Sequence, residues 1–161
     1  MRSLLRRFAL VALVPAALTG AAAMIASPAE AAPVSEATLQ NDVNRLINVE
    51  RSKNGCAALT VNAALTKAAR GHSTYMAQSG SFSHTGKGGT SFSARIKTAG
   101  YAKPGAENIA WGYRTGSDVV KGWMKSPGHR ANIVNCKLKT VGVGAVYSTG
   151  GTPYFTQDFG Y

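Results

Sequence analysis

The sequence predicts an α+β domain with its helices first and its strands last. Two observations carry this. Apolar residues recur at helical spacing in successive segments between Leu39 and Met124, and two alternating runs, Val141–Tyr147 and Phe155–Phe159, close the chain. A third observation, an export-type N-terminus, fixes the environment in which that domain works.

The N-terminus comes first. Arg2, Arg6 and Arg7 form a positive region, an alanine-rich apolar stretch runs from Phe8 to Ala26, and Ala29-Glu30-Ala31 supplies the small residues of a cleavage site. A membrane anchor is the rival reading, but Pro15, Thr19 and Gly20 interrupt the stretch. We therefore expect residues 1–31 to be a signal peptide cleaved after Ala31, residues 32–38 a short tether, and residues 39–161 one domain, secreted to the cell exterior. No second apolar stretch of membrane length follows, so no transmembrane segment is expected after cleavage.

Along the domain, Leu39, Val43, Leu46, Ile47 and Glu50 recur at helical spacing, with Ser35 or Thr38 available as a cap and Asn54-Gly55 as a stop. A second helix is predicted from Asn62 to Gln78, with Leu65, Ala69, His72 and Met76 on one face. Residues 81–89 read as a Gly- and Ser-rich loop. Thr90 or Ser91 opens a third helix through Phe92, Arg95 and Ile96, ended by Gly100. Ile109 marks a short strand. Ser117-Asp118 opens a fourth helix with Val120, Trp123 and Met124 inward, and Pro127-Gly128 breaks it before one more turn over His129–Ile133. Gly150-Gly151 between the two alternating runs makes the C-terminus a β-hairpin.

Composition bounds the partners. The 161 residues carry 18 Lys and Arg against 7 Asp and Glu, a formal charge of +11. The basic residues are scattered rather than clustered, and no stacking aromatics accompany them, so nucleic acid is not an expected partner. An anionic cell-wall polymer or a lipid headgroup suits an exported basic chain better. A monomer is expected. Cys56 and Cys136 are the two cysteines. In an oxidising exterior they read as a disulfide rather than as metal thiolates, because neither has a Cys or His close by.

Four segments then fall into a pattern: Phe82–Gly86, Gly105–Ala110, Trp123–Ile133 and Tyr154–Gly160. Their order and spacing resemble the CAP superfamily, which includes the cysteine-rich secretory proteins, insect venom antigens and plant pathogenesis-related proteins. The Ser-Pro-Gly-His-Arg-Ala-Asn-Ile segment is similar to that of its small bacterial branch, and the resemblance spans Leu39 to Tyr161. It implies an α-β-α sandwich with a small antiparallel sheet between helical layers. It also implies a cleft where many eukaryotic members place two histidines and two glutamates around a divalent metal such as zinc. His84 matches the first histidine and Glu107 the first glutamate. Ser126 and Tyr154 stand near the other two positions, so half of that set is absent, and His129 is the one imidazole available as a replacement.

The residues themselves point the same way. His84 sits in a loop, where functional groups concentrate, whereas His72 shares an apolar helical face and reads as structural. Glu107 stands in an apolar segment and needs a partner. Asn108, Ser126, Tyr154 and Gln157 are expected as polar cleft liners, and His84, Glu107 and His129 as the candidate metal ligands. Two functions follow: a binding module for a small apolar or lipid-like ligand, a sterol, or a cell-envelope component, or a metal-assisted hydrolase of peptide, ester or glycan using His84 and Glu107. The missing half of the set favours binding.

Overall fold

A computed structural model describes residues 33–161; the signal peptide expected over residues 1–31 lies outside the described residues. The first helix, α1 (Glu36–Lys53), starts where Ser35 accepts a hydrogen bond from the Thr38 amide, within the stretch expected as a tether. Its buried seam is Leu39, Val43, Ile47 and Arg51, a strict i, i+4 row. Glu50, expected on that face, instead pairs with Lys53 at the surface. A two-residue strand, β1 (Thr60–Val61), follows, then α2 (Ala63–Ser79), capped by Asn62 and closed by Gly80 in the left-handed conformation. The helix α3 (Phe92–Thr98) is capped by Ser91.

The strand β2 (Pro104–Trp111) leads into α4 (Gly116–Lys125), whose cap is Thr115 rather than Ser117. Pro127 does more than break α4. It opens α5 (Pro127–Ile133) from its first turn, where a missing N–H costs nothing. The hairpin β3 (Thr140–Tyr147) and β4 (Pro153–Gly160) completes the chain.

The sheet order is β1-β3-β4-β2. β3, β4 and β2 are antiparallel neighbours, but β1 runs parallel to β3, so the small sheet is mixed rather than wholly antiparallel. No alternation announces β1, since two residues are too few for a period.

Alternation assigns the faces. Val141, Val143, Ala145, Phe155 and Phe159 share one core with Leu39, Val43 and Ile47 of α1 and with Val119, Val120 and Trp123 of α4. The opposite face lies under α2. There Gly142 and Gly144 carry no side chains, and a Cβ on either would collide with the helix backbone, at the Thr66 nitrogen or the Arg70 nitrogen. The two glycines let α2 lie on the sheet backbone itself. α3 closes over α2 through Leu65, Ala68 and Ile96.

Two features lock the far end. The Arg51 guanidinium is fully buried and donates to the carbonyls of Ala57, Ile133, Asn135 and Leu138, at 2.8–3.1 Å. Beside it Cys56 and Cys136 form the expected disulfide. The free edge of β2 is covered by side chains: the Trp123 indole donates to the Ile109 carbonyl at 3.2 Å, and the Asn132 amide to the Glu107 carbonyl at 3.4 Å.

Candidate functional site

The site lies at that edge. β2 delivers Glu107 to the face under α2 and α3, and its side chain is 1% exposed. His84 reaches it from the loop after α2, with Nδ1 2.7 Å from Glu107 Oε1. The second oxygen, Oε2, accepts from Arg95 Nη2 of α3 at 2.5 Å. Arg95 also clamps the loop, since Nη1 donates to the carbonyls of His84 at 3.0 Å and Thr90 at 2.9 Å. Gly86 makes room for this clamp: a Cβ there would stand 2.9 Å from Arg95 Nη1. One guanidinium thus fixes both the carboxylate and the loop that carries the imidazole.

The His84 side chain is 54% exposed. With Nδ1 held by Glu107, its Nε2 is left for whatever enters the adjacent cleft. That cleft, about 410 Å³, is lined by His84, Phe92, Gly105, Ala106, Glu107 and Asn132. Phe92 and Ala106 make one wall apolar. Arg95, Phe92 and Asn132 are not singled out by the sequence. Arg95 reads there as one more polar position of a short helix, and nothing in a lone sequence aims it at a residue twelve positions away.

The sequence-predicted residues divide between the two faces of the sheet. Asn108, one position from Glu107, points the other way and bonds the Gln157 side chain at 3.0 Å, the His129 carbonyl at 3.2 Å and, as acceptor, Asn132 at 2.8 Å. Tyr154 packs with Met76 and Ile109, and its ring stacks on Trp111 with centroids 6.3 Å apart. Trp111 in turn meets Phe82 at 6.4 Å, and both are about half exposed, so Tyr154 ends an aromatic strip rather than lining the His84 cleft. Ser126 caps no amide with its side chain.

His129 is half-buried, and burial, followed by the neighbouring His84 imidazole, lowers its pKa. It does not complete a metal site with His84 and Glu107: among the described residues no three His, Cys, Asp or Glu side chains gather as ligands. The donor set does not fit a divalent ion, because a guanidinium already occupies one Glu107 oxygen and an imidazole the other.

His72 is buried as the sequence implied, bonded through Nε2 to the Ser83 carbonyl at 2.9 Å. Burial is the main cause of its lowered pKa. Asp158, which the sequence left unremarked, is buried opposite Glu107 in the β2–β4 ladder. Burial, and then the Glu107 charge, push its carboxyl well above the usual range.

The family described as CAP, the cysteine-rich secretory protein family, matches residues 45–159, and the chain belongs to it. It is 38% identical over 129 residues to the uncharacterized protein YkwD of Bacillus subtilis, covering 80% of this chain and 49% of that one. Its fold is similar to an extracellular protein from Bacillus anthracis containing an SCP domain. The TM-score is 0.71 and the identity 29%, over 78% of this chain and 41% of the other. An outer surface protein from Borrelia burgdorferi shares the fold at a TM-score of 0.68 and 23% identity, over 74% and 90% of the two chains. The chain thus spans about half the length of YkwD and less than half of the Bacillus anthracis protein.

Proposed function

We propose that this CAP domain is an exported binding module whose His84 cleft takes a small, partly apolar ligand, a lipid-like molecule or a fragment of the cell envelope. The observation that carries the reading is the partition of the site. Glu107 is buried and doubly engaged, while His84 stands half-exposed over a cleft with Phe92 and Ala106 on its wall. A hydrogen-bonding head beside an apolar wall suits a ligand with one polar end. The exposed Phe82–Trp111 pair extends the apolar surface. Glu107 and Trp111 share a face of β2, four residues and about 13 Å apart, so a ligand headed at His84 would need about that length to reach the aromatic pair. Export agrees with the disulfide, with the excess of basic residues, and with the extracellular and outer-surface descriptions of two structural neighbours. No helix among the described residues is long and apolar enough to cross a membrane.

A second reading has one observation in its favour. Glu107 orients the His84 imidazole as a carboxylate orients a general base, which makes His84, not Glu107, the proton acceptor of a hydrolase. The readings separate in one experiment. Fatty acids and wall fragments are titrated against the protein, its Phe92→Asp variant and its His84→Ala variant, with products assayed in parallel. Binding lost in Phe92→Asp without product supports the module. Turnover lost in His84→Ala supports the hydrolase and overturns the first reading.

A further inference from the structure

We propose, resting on the reading of the His84 cleft as a binding site, that its ligand is a neutral saccharide held by hydroxyl or acetamido N–H groups. Two side-chain atoms on the cleft wall have no partner among the described residues, and the network around them makes both acceptors. His84 Nδ1 lies 2.7 Å from Glu107 Oε1. A carboxylate only accepts, so Nδ1 holds the proton of the neutral imidazole and Nε2 is left as an acceptor. The His84 side chain is half exposed, so that nitrogen is within a ligand's reach.

Asn132 supplies the second acceptor. Its Nδ2 donates to the Glu107 carbonyl at 3.4 Å and to Asn108 Oδ1 at 2.8 Å, which uses both hydrogens. Asn108 is fixed in turn by donating to the His129 carbonyl at 3.2 Å. Main-chain carbonyls cannot donate, so neither amide can be reversed without losing these bonds. Asn132 Oδ1 therefore stands free on the wall. It is half-buried with its residue, and it is not among the polar atoms sealed away from solvent without a partner.

Two acceptors require donors, and charge decides which donors. A carboxylate brings only acceptors and is repelled. An ammonium donates, but both Glu107 oxygens are already engaged, one of them by the Arg95 guanidinium, so a second cation finds no free carboxylate. A hydroxyl or an amide N–H donates without charge and meets both atoms. The remaining wall selects the body of the ligand. Phe92 and Ala106 are apolar, and the C–H face of a pyranose ring packs on an aromatic ring while its rim of hydroxyls stays free to donate. An alkyl chain would suit Phe92 equally well but leave Nε2 and Oδ1 unmet. The cleft, about 410 Å³, has room for such a ring.

Three heads on one kind of ring test this: N-acetylglucosamine, glucosamine and glucuronate, with laurate as the lipid, titrated near pH 7 and followed by amide NMR shifts. Saturable shifts at Phe92, Ala106 and Asn132 with N-acetylglucosamine are expected, with about tenfold weaker binding of both charged sugars. His84→Leu removes one acceptor and weakens N-acetylglucosamine about tenfold. Should that variant not fold, the ranking of the three heads in the native protein decides. Equal binding of the three sugars, or tighter binding of a charged one, overturns the proposal. Laurate shifting the cleft residues where no sugar does so also overturns it, and leaves the binding module standing. No saturable shift from any probe overturns both. Release of shorter sugars from an N-acetylglucosamine oligomer supports the saccharide and overturns the module.

Discussion

Glu107 and Asp158 stand directly opposite each other on β2 and β4, two carboxyl groups on one buried face of the sheet. Glu107 has Arg95 and His84 as partners; neither Asp158 oxygen has a hydrogen-bond partner. Two such neighbours do not both ionise readily out of water, and Asp158 is the one whose carboxyl is pushed upward, by burial and then by Glu107. Asp158 therefore holds a proton in the folded chain that the unfolded chain releases above about 3.8. The folded state binds the extra proton, so stability falls as pH rises from there through the folded-state pKa. Asp158→Asn should remove that slope. Its melting temperature should exceed the native one at about pH 8, with the gap closing toward about pH 4. Parallel melting curves across pH would mean that Asp158 is ionised in the fold.

His72 gives the opposite slope. Burial lowers its pKa, so the unfolded chain takes up a proton below about 6.5 that the folded chain refuses. Stability present above that value is lost as pH falls toward the folded-state pKa. His72→Gln should flatten this acid limb in urea unfolding followed across pH, whatever it does to stability at neutral pH.

Arg51 has no carboxylate partner among the described residues; four backbone carbonyls surround it instead. Arg51→Met removes the donors and leaves the carbonyls of Ile133, Asn135 and Leu138 to find others in a dry site. A loss of about 3–5 kcal/mol in denaturant unfolding is expected. Arg51→Lys should recover only part of it, since one ammonium cannot span four carbonyls in the planar fan of a guanidinium.

The disulfide closes a loop of 80 positions. Its removal by Cys56→Ser with Cys136→Ser should cost about 2–4 kcal/mol, mostly by freeing the unfolded chain. Equal unfolding midpoints with and without reductant would show that Arg51 and its carbonyls hold this corner alone.

Much of this architecture is legible in the sequence, because periodicity and capping are local. Asn62, Ser91 and Gly80 mark helix ends that the structure places within a residue or two. A lone carboxylate in an apolar strand such as Glu107 demands a partner, and the resemblance to the CAP family names His84 as that partner. What the sequence withholds is long-range. Arg51 continues the buried row of α1, a place that helical spacing alone assigns to Glu50. Asn108 and Glu107 are adjacent in sequence, and a strand sends neighbours to opposite faces, so they cannot line one cleft wall together. The expected trio of ligands fails for a related reason. A guanidinium from α3 engages one Glu107 oxygen, and its approach depends on how α3 docks, not on any spacing along the chain.

Gly142 and Gly144 have a mechanical consequence for the site. A helix seated on side chains can rock as those side chains change rotamer, but where α2 crosses Gly142 and Gly144 of β3 it rests on bare backbone, with no rotamers there to change. Thr66 and Arg70 already lie against the strand where added atoms would collide. Ser73 pins the helix further by donating to the Gly144 carbonyl and the Thr156 hydroxyl. The loop bearing His84 therefore springs from a fixed post. Ligand entry would move the loop against the Arg95 clamp, and a Gly144→Ala chain, with its post lifted off the sheet, would lose the aim of His84 before it lost its helices.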